Sequence, residues 1–145
     1  MNGLPYFSEL VRKWLAYHGM GSLDVDENTT VYHLTIDNVG DVHIGYLTVD
    51  NSIVLFSSLG SLNELPDNIL KQCLVKQHFK ELPHVNFGLD ETSEQLIVWL
   101  KTQLDQATVE VLDQQLAQLL EEGLIAFKQQ LTANTSAPIT PGVIV

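Results

Sequence analysis

The chain has 145 residues, 45% of them hydrophobic, which suits one domain with a real core and excludes an intrinsically disordered chain. Seven Lys and Arg stand against eighteen Asp and Glu, a formal net charge of -11. A surface that negative repels phosphate backbones and anionic lipid, so nucleic acid and membrane surfaces are set aside and basic or neutral proteins, or small cations, are the favoured partners.

Residues 5–18 predict an amphipathic helix, because Phe7, Leu10, Val11, Trp14 and Leu15 recur at the spacing of one helical face. Pro5 suits its first turn, and Gly19 and Gly21 end it. Asp24 to Thr30 is an acidic connector. Three strands follow as an antiparallel meander. Around the turn Asn38-Val39-Gly40, the expected register sets Ile36 against Val42, Leu34 against Ile44 and Tyr32 against Tyr46. A two-residue loop at Asp50-Asn51 would then set Tyr46 against Leu55 and Thr48 against Ile53. The second face of this meander is expected to carry Thr35 and His43 near the first turn and Leu47, Val49, Val54 and Phe56 further along. A one-sided sheet would be polar there, so these residues predict either a second layer or an exposed adhesive surface.

A second helix is expected over 66–81, with Ile69, Leu70, Cys73, Leu74 and Phe79 apolar, Pro66 in its first turn and Pro83 after it. Cys73 is the sole cysteine, which rules out an intramolecular disulfide and reads as a small buried residue. Val85, Phe87 and Leu89 alternate in a fourth strand, and Asp90 to Glu94 make a turn. In the strand Gln95 to Thr102, Leu96, Val98 and Leu100 point one way, and Ile97 and Trp99 the other. Residues 108–131 predict a long helix striped by Val109, Leu112, Leu116, Leu119, Leu120, Phe127 and Leu131, capped by Asp105 or Thr108. Gly123 interrupts the stripe and allows a close backbone approach. The expected architecture is an α+β domain over 1–131, ordered α-β-β-β-α-β-β-α, with helices packed on an antiparallel sheet and a flexible tail over 132–145. No signal peptide or apolar span of about 18 residues is visible, so a cytoplasmic location is expected.

The chemistry-bearing residues form no catalytic motif. His33 and His43 are expected as diagonal neighbours on one sheet face, and a metal site there would need Asp37 or Asp41 as a third ligand, which no spacing fixes. They read instead as surface histidines, and a small ligand-binding or enzyme domain using that face is kept as an alternative. There is no nucleophile elbow, Cys73 and His78 are five apart on a helix, and no glycine-rich phosphate loop follows a strand. No cofactor is expected. Trp14 falls on the apolar stripe of the first helix, whereas Trp99 reads as core, dimer interface or partner anchor.

Four stretches together resemble the class I type III secretion chaperones, the Tir-chaperone-like family: FSELVRKWLAYHG, VHIGYLTVDNSIVLFSSLG, NFGLDETSEQLIVWLKTQL and VEVLDQQLAQLLEEGLIAF. The resemblance covers residues 4 to 131, and Asn86-Phe87-Gly88-Leu89-Asp90 is similar to a shortened form of a family passage. It implies a chaperone that holds the extended N-terminal segment of a secreted effector, binding without catalysis. It further implies a homodimer through the second helix, placing Ile69, Leu70, Cys73 and Leu74 at the dimer interface. The spare apolar residues Leu47, Val49, Val54, Phe56, Ile97 and Trp99 become the expected effector-binding set. A regulatory adaptor of similar fold is the alternative within the same class.

Overall fold

The computed structural model describes residues 3–19, 28–76 and 85–129. In chain order these form α1 (Leu4–Tyr17), β1 (Val31–Ile36), β2 (Gly40–Leu47), β3 (Ser52–Ser61), α2 (Asp67–Lys76), β4 (Asn86–Asp90), β5 (Gln95–Gln103) and α3 (Val109–Gln118). The expected order of helices and strands is the observed one. The end of the expected second helix and the tail lie outside the described residues. The strands make one antiparallel sheet in the order β1-β2-β3-β5-β4, so among the described residues β1 and β4 are its edges.

Both expected hairpin registers are off by two residues. Leu34 faces Val42 and Tyr32 faces Ile44, while Tyr46 faces Ile53 and Ile44 faces Leu55. The cause is local. Asn38 (φ 64°) and Asn51 (φ 54°) both take the left-handed conformation that Asn tolerates, and each sits inside a loop. Val39 N donates to Ile36 O at 3.1 Å, closing the first turn ahead of Gly40. Residues 48–51 make a four-residue loop in place of the expected two. A slip of two preserves the alternation, so every side chain keeps its face.

One face of the sheet is covered. Phe7, Val11 and Trp14 of α1 and Leu112 of α3 are sealed against Val42, Ile44, Ile53, Leu55 and Val98. Burying side chains of this size stabilises the fold by about 1.5–3 kcal/mol each. The start of α1 is pinned by Tyr46, whose hydroxyl donates to Asn51 Oδ1 at 2.6 Å and accepts from Gly3 N at 3.0 Å. A Cβ at Gly3 would lie 2.4 Å from that Asn51 oxygen and 2.5 Å from Leu104 Cδ2, so the chain can enter α1 this closely only as glycine. α2 joins the same layer through Ile69, packed with Leu96 and Phe127.

The third helix departs from a single α-helix. Thr108 caps it, its Oγ1 accepting from Val111 N at 3.1 Å, while Asp105 lies in a short turn of 3-10 helix. After Gln118 the chain widens into a π-helical segment, Leu119–Ile125. Gly123 lies in that segment and is buried. A Cβ there would stand 3.0 and 3.2 Å from the two methyls of Val98, so the glycine permits the close approach of helix to sheet that its place in the stripe implied. Replacing it with Val is expected to lower the unfolding free energy by about 1–3 kcal/mol. Urea titration checks this, and an unchanged midpoint would remove the close approach as a constraint.

Candidate partner-binding surface

Side chains alternate across a strand, so filling one face of the sheet leaves the residues between them on the other. No described helix packs there. Its centre is a transverse row running His33, His43, Phe56, Trp99 and Asn86, one residue from each strand in the order β1 to β4. His33 and His43 are directly opposed, not diagonal as expected from the slipped register. Their rings stack at 4.8 Å and 14°, and His43 stacks on Phe56 at 5.0 Å and 14°. In the next row Val54 lies between Gly45 and Lys101, and on the other side Ile97 pairs with Gly88 and Ser58.

The structure therefore brings Val54, Phe56, Ile97 and Trp99 together on one face, each of them half-buried, with Leu47 more exposed at its margin. Val49 departs from the expected strand position. It sits in the loop at 48–51 and is 98% exposed.

Polar groups close both ends of this face. At one end His33 Nε2 lies 3.3 Å from Asp41 Oδ1, which also accepts from Thr35 Oγ1 at 3.1 Å. These bonds, His33 first, hold the Asp41 carboxyl below the usual carboxylate range. At the other end Lys101 pairs with Asp50, which accepts from Ser52 Oγ at 2.6 Å. Asp50 is likewise held low, chiefly by Lys101. Burial, and then the adjacent His33, disfavours charge on His43 and lowers its pKa from 6.5. Its Nδ1 is sealed from solvent and has no hydrogen-bond partner among the described residues.

The expected dimer residues divide. Ile69 is 1% exposed and belongs to the core of this subunit. Leu70 is half-buried and Leu74 is 73% exposed. Both line an open apolar cavity of about 180 Å³ beside the β4 edge, with Leu62, Phe87, Leu89 and Leu96. The side chain of Cys73 lies outside the described residues, as do Phe79, His78 and His84. Sequence reasoning missed Leu62 and Leu89 as parts of this cavity. Leu89 was visible in the strand alternation, but only the tertiary placement of α2 over β4 gives it an apolar neighbour. A second apolar cavity of about 100 Å³ lies where Trp14 and Leu15 of α1, Leu34 and Ile36 of β1 and Leu116 of α3 meet. Its rim carries His18, whose Nε2 lies 2.5 Å from Asp113 Oδ1. Neither cavity includes His33 or His43. Among the described residues no group of three His, Cys, Asp or Glu could hold a metal ion, and no helix is long and apolar enough to cross a membrane.

The sequence profile of the Tir chaperone protein (CesT) family matches residues 9–123. Among solved structures, the chain is similar to one in the ExsC-ExsE complex (TM-score 0.73, 20% identity, 90% of this chain and 97% of that chain). It is also similar to a chain of the heterodimeric ExoU-SpcU complex from the type III secretion system of Pseudomonas aeruginosa (TM-score 0.61, 21% identity, 77% and 90%). A third likeness is to the Yersinia pestis type III secretion chaperone SycH in complex with a stable fragment of YscM2 (TM-score 0.60, 20% identity, 80% and 95%). No curated sequence relative matches.

The lowered pKa of His43 sets a direction for stability. Between its folded value and 6.5 the unfolded chain binds the proton that the folded chain refuses, so stability is retained above that window and falls as the pH descends through it. Urea midpoints are expected to drop between pH 7.5 and 5.5. The drop is expected to shrink in His43→Phe, which keeps the stack and removes the titration.

Proposed function

Because this chain belongs to the Tir chaperone protein (CesT) family, we propose that it is a cytoplasmic type III secretion chaperone, holding the extended N-terminal segment of a secreted effector. The observation that carries the reading is the family match over residues 9–123. The partner-bearing complexes among its structural relatives and the uncovered apolar face of the sheet support it.

The mechanism is binding without bond chemistry. An extended guest satisfies its own backbone by pairing with an edge of the described sheet, β1 or β4, and places alternate side chains on apolar surface. Val54, Phe56, Ile97 and Trp99 supply that surface, Leu47 extends it, and Val49 reaches out from the loop beside it. Ordering a disordered guest costs several kcal/mol, so contact must extend over a large area, which a whole sheet face provides. The charge of -11 keeps the complex dispersed and favours a basic guest. The chaperone pairs with a second copy through α2. Leu70 and Leu74 meet the partner subunit, Cys73 lies between them in sequence, and Ile69 holds the helix to its own sheet.

Light scattering after co-expression with the protein encoded beside it tests both surfaces. A dimer that co-elutes with that guest is expected. The double substitution Val54→Asp, Phe56→Asp is expected to weaken guest binding by at least about tenfold while leaving the dimer whole. Leu74→Asp is expected to yield monomers that remain folded. Acrylamide quenching of Trp99 is expected to fall in the complex, with buried Trp14 unaffected. A guest retained at full affinity by the double variant would move the binding face elsewhere.

A further inference from the structure

We propose that the stacked His33–His43 pair is a proton-operated latch on the edge strand β1: acid loosens β1 from β2 while the rest of the sheet holds.

Three observations place the latch. Among the described residues β1 pairs with β2 alone, which makes it an edge of the described sheet. The central open-face pair of the ladder is His33 opposite His43, with the rings stacked at 4.8 Å. His43 is also sandwiched from the other side by Phe56, and its Nδ1 is sealed without an acceptor. A proton arriving at that nitrogen has no hydrogen bond to make while the stack is closed, and a second imidazole lies face to face with it across the ladder. Like charges directly opposite on neighbouring strands destabilise pairing. When β1 swings away, His43 loses its ring cover and reaches water, so the opened state binds a proton that the closed state excludes. Acid therefore draws the equilibrium toward the opened state by linkage.

The surrounding charges are few. On the open face β1 contributes His33, β2 contributes Asp41 and His43, and β3 contributes the uncharged Phe56 and Ser58. Asp41 already serves His33 at 3.3 Å, so one carboxylate answers two rings. On β5 the nearest charge is Lys101, which is paired with Asp50. Asp37 lies in the β1–β2 turn. Across the sheet, beside Leu34 and Ile36, His18 of α1 meets Asp113 of α3 at 2.5 Å, an attraction that charge on the ring strengthens. That pair holds α1 to α3 and does not oppose β1 to β2. Opening β1 would also expose the outer rim of β2 as a fresh sheet edge, which places an acid-dependent edge next to the aromatic row.

Amide hydrogen exchange on the free protein tests the latch, with rates at pH 7.5 and 5.5 corrected for intrinsic exchange. The 31–36 segment is expected to open roughly fivefold more readily at pH 5.5, the scale of one like-charge pair across a ladder. β4, the other edge, serves as the internal control and is expected to stay unchanged. His33→Gln, at a half-exposed position that does not threaten folding, removes the like charge across the ladder and is expected to reduce the response in β1, the burial of His43 accounting for what is left. His43→Gln provides an independent second loss. Equal acid responses in β1 and β4, no response in β1, or a response that survives both Gln variants would each overturn the proposal. No guest is needed, so failure here leaves the chaperone reading standing, and failure of that reading leaves the latch testable.

Discussion

Everything distinctive about this molecule follows from the fact that three helices cover one face of a five-stranded sheet and none of the described elements covers the other. α1 packs on β1 and β2 through Phe7 against Tyr32 and Tyr46, with Tyr46 and Asn51 anchoring the Gly3 that precedes it, and the π-helical segment after α3 packs on β3 and β5, drawn down onto Val98 by the missing side chain of Gly123. Beneath this helical layer Val42, Ile44, Ile53, Leu55 and Val98 are sealed completely, Val98 directly under Gly123. A sheet sealed so well on one side needs no second layer for stability. Its other face is free to carry apolar residues for another purpose.

How much of this was legible from sequence depends on which signal carried it. Alternation along the strands survives any even slip, so the division of residues between the two faces was readable even though both hairpin registers were not. The registers turned on whether Asn38 and Asn51 would take a left-handed backbone, a local choice that the apolar pattern does not encode. Gly123 announced itself because a glycine inside an apolar stripe is costly without a reason, and the reason is Val98. The widening of the helix around it was invisible, since a π-turn leaves the apolar residues in much the same order. Ile69 looked equivalent to Leu70 and Leu74 on its helix, and only the crossing of α2 over Leu96 and Phe127 turns it inward. The second cavity behind Trp14 needed three elements in place before it existed at all.

The open face is adhesive in the middle and polar at the ends. Phe56 and Trp99 stand opposite one another at its centre, while Asp41 with His33 and Asp50 with Lys101 close it along the strand direction. Groups of this kind at a rim cost little when a partner covers the centre, because they stay wet, and they discourage random apolar contacts when no partner is present. A charge of -11 over the whole chain works in the same sense by keeping copies apart.

The two edges of the sheet are chemically unlike, and that difference bears on how one small domain serves two kinds of contact. β4 runs beside an apolar cavity with Leu74 and Leu89 exposed at its lip, which suits a permanent partner that dries the site completely. β1 carries Val31, His33 and Thr35 on the open face, all exposed, with His33 paired to Asp41, which makes it the more hydrated edge and the place of the proposed latch. A chaperone must hold its own subunits firmly and its guest reversibly. The apolar cavity at one edge and the histidine pair at the other lie three strands apart, so under the proposed reading a change at β1 need not disturb a subunit contact made through α2.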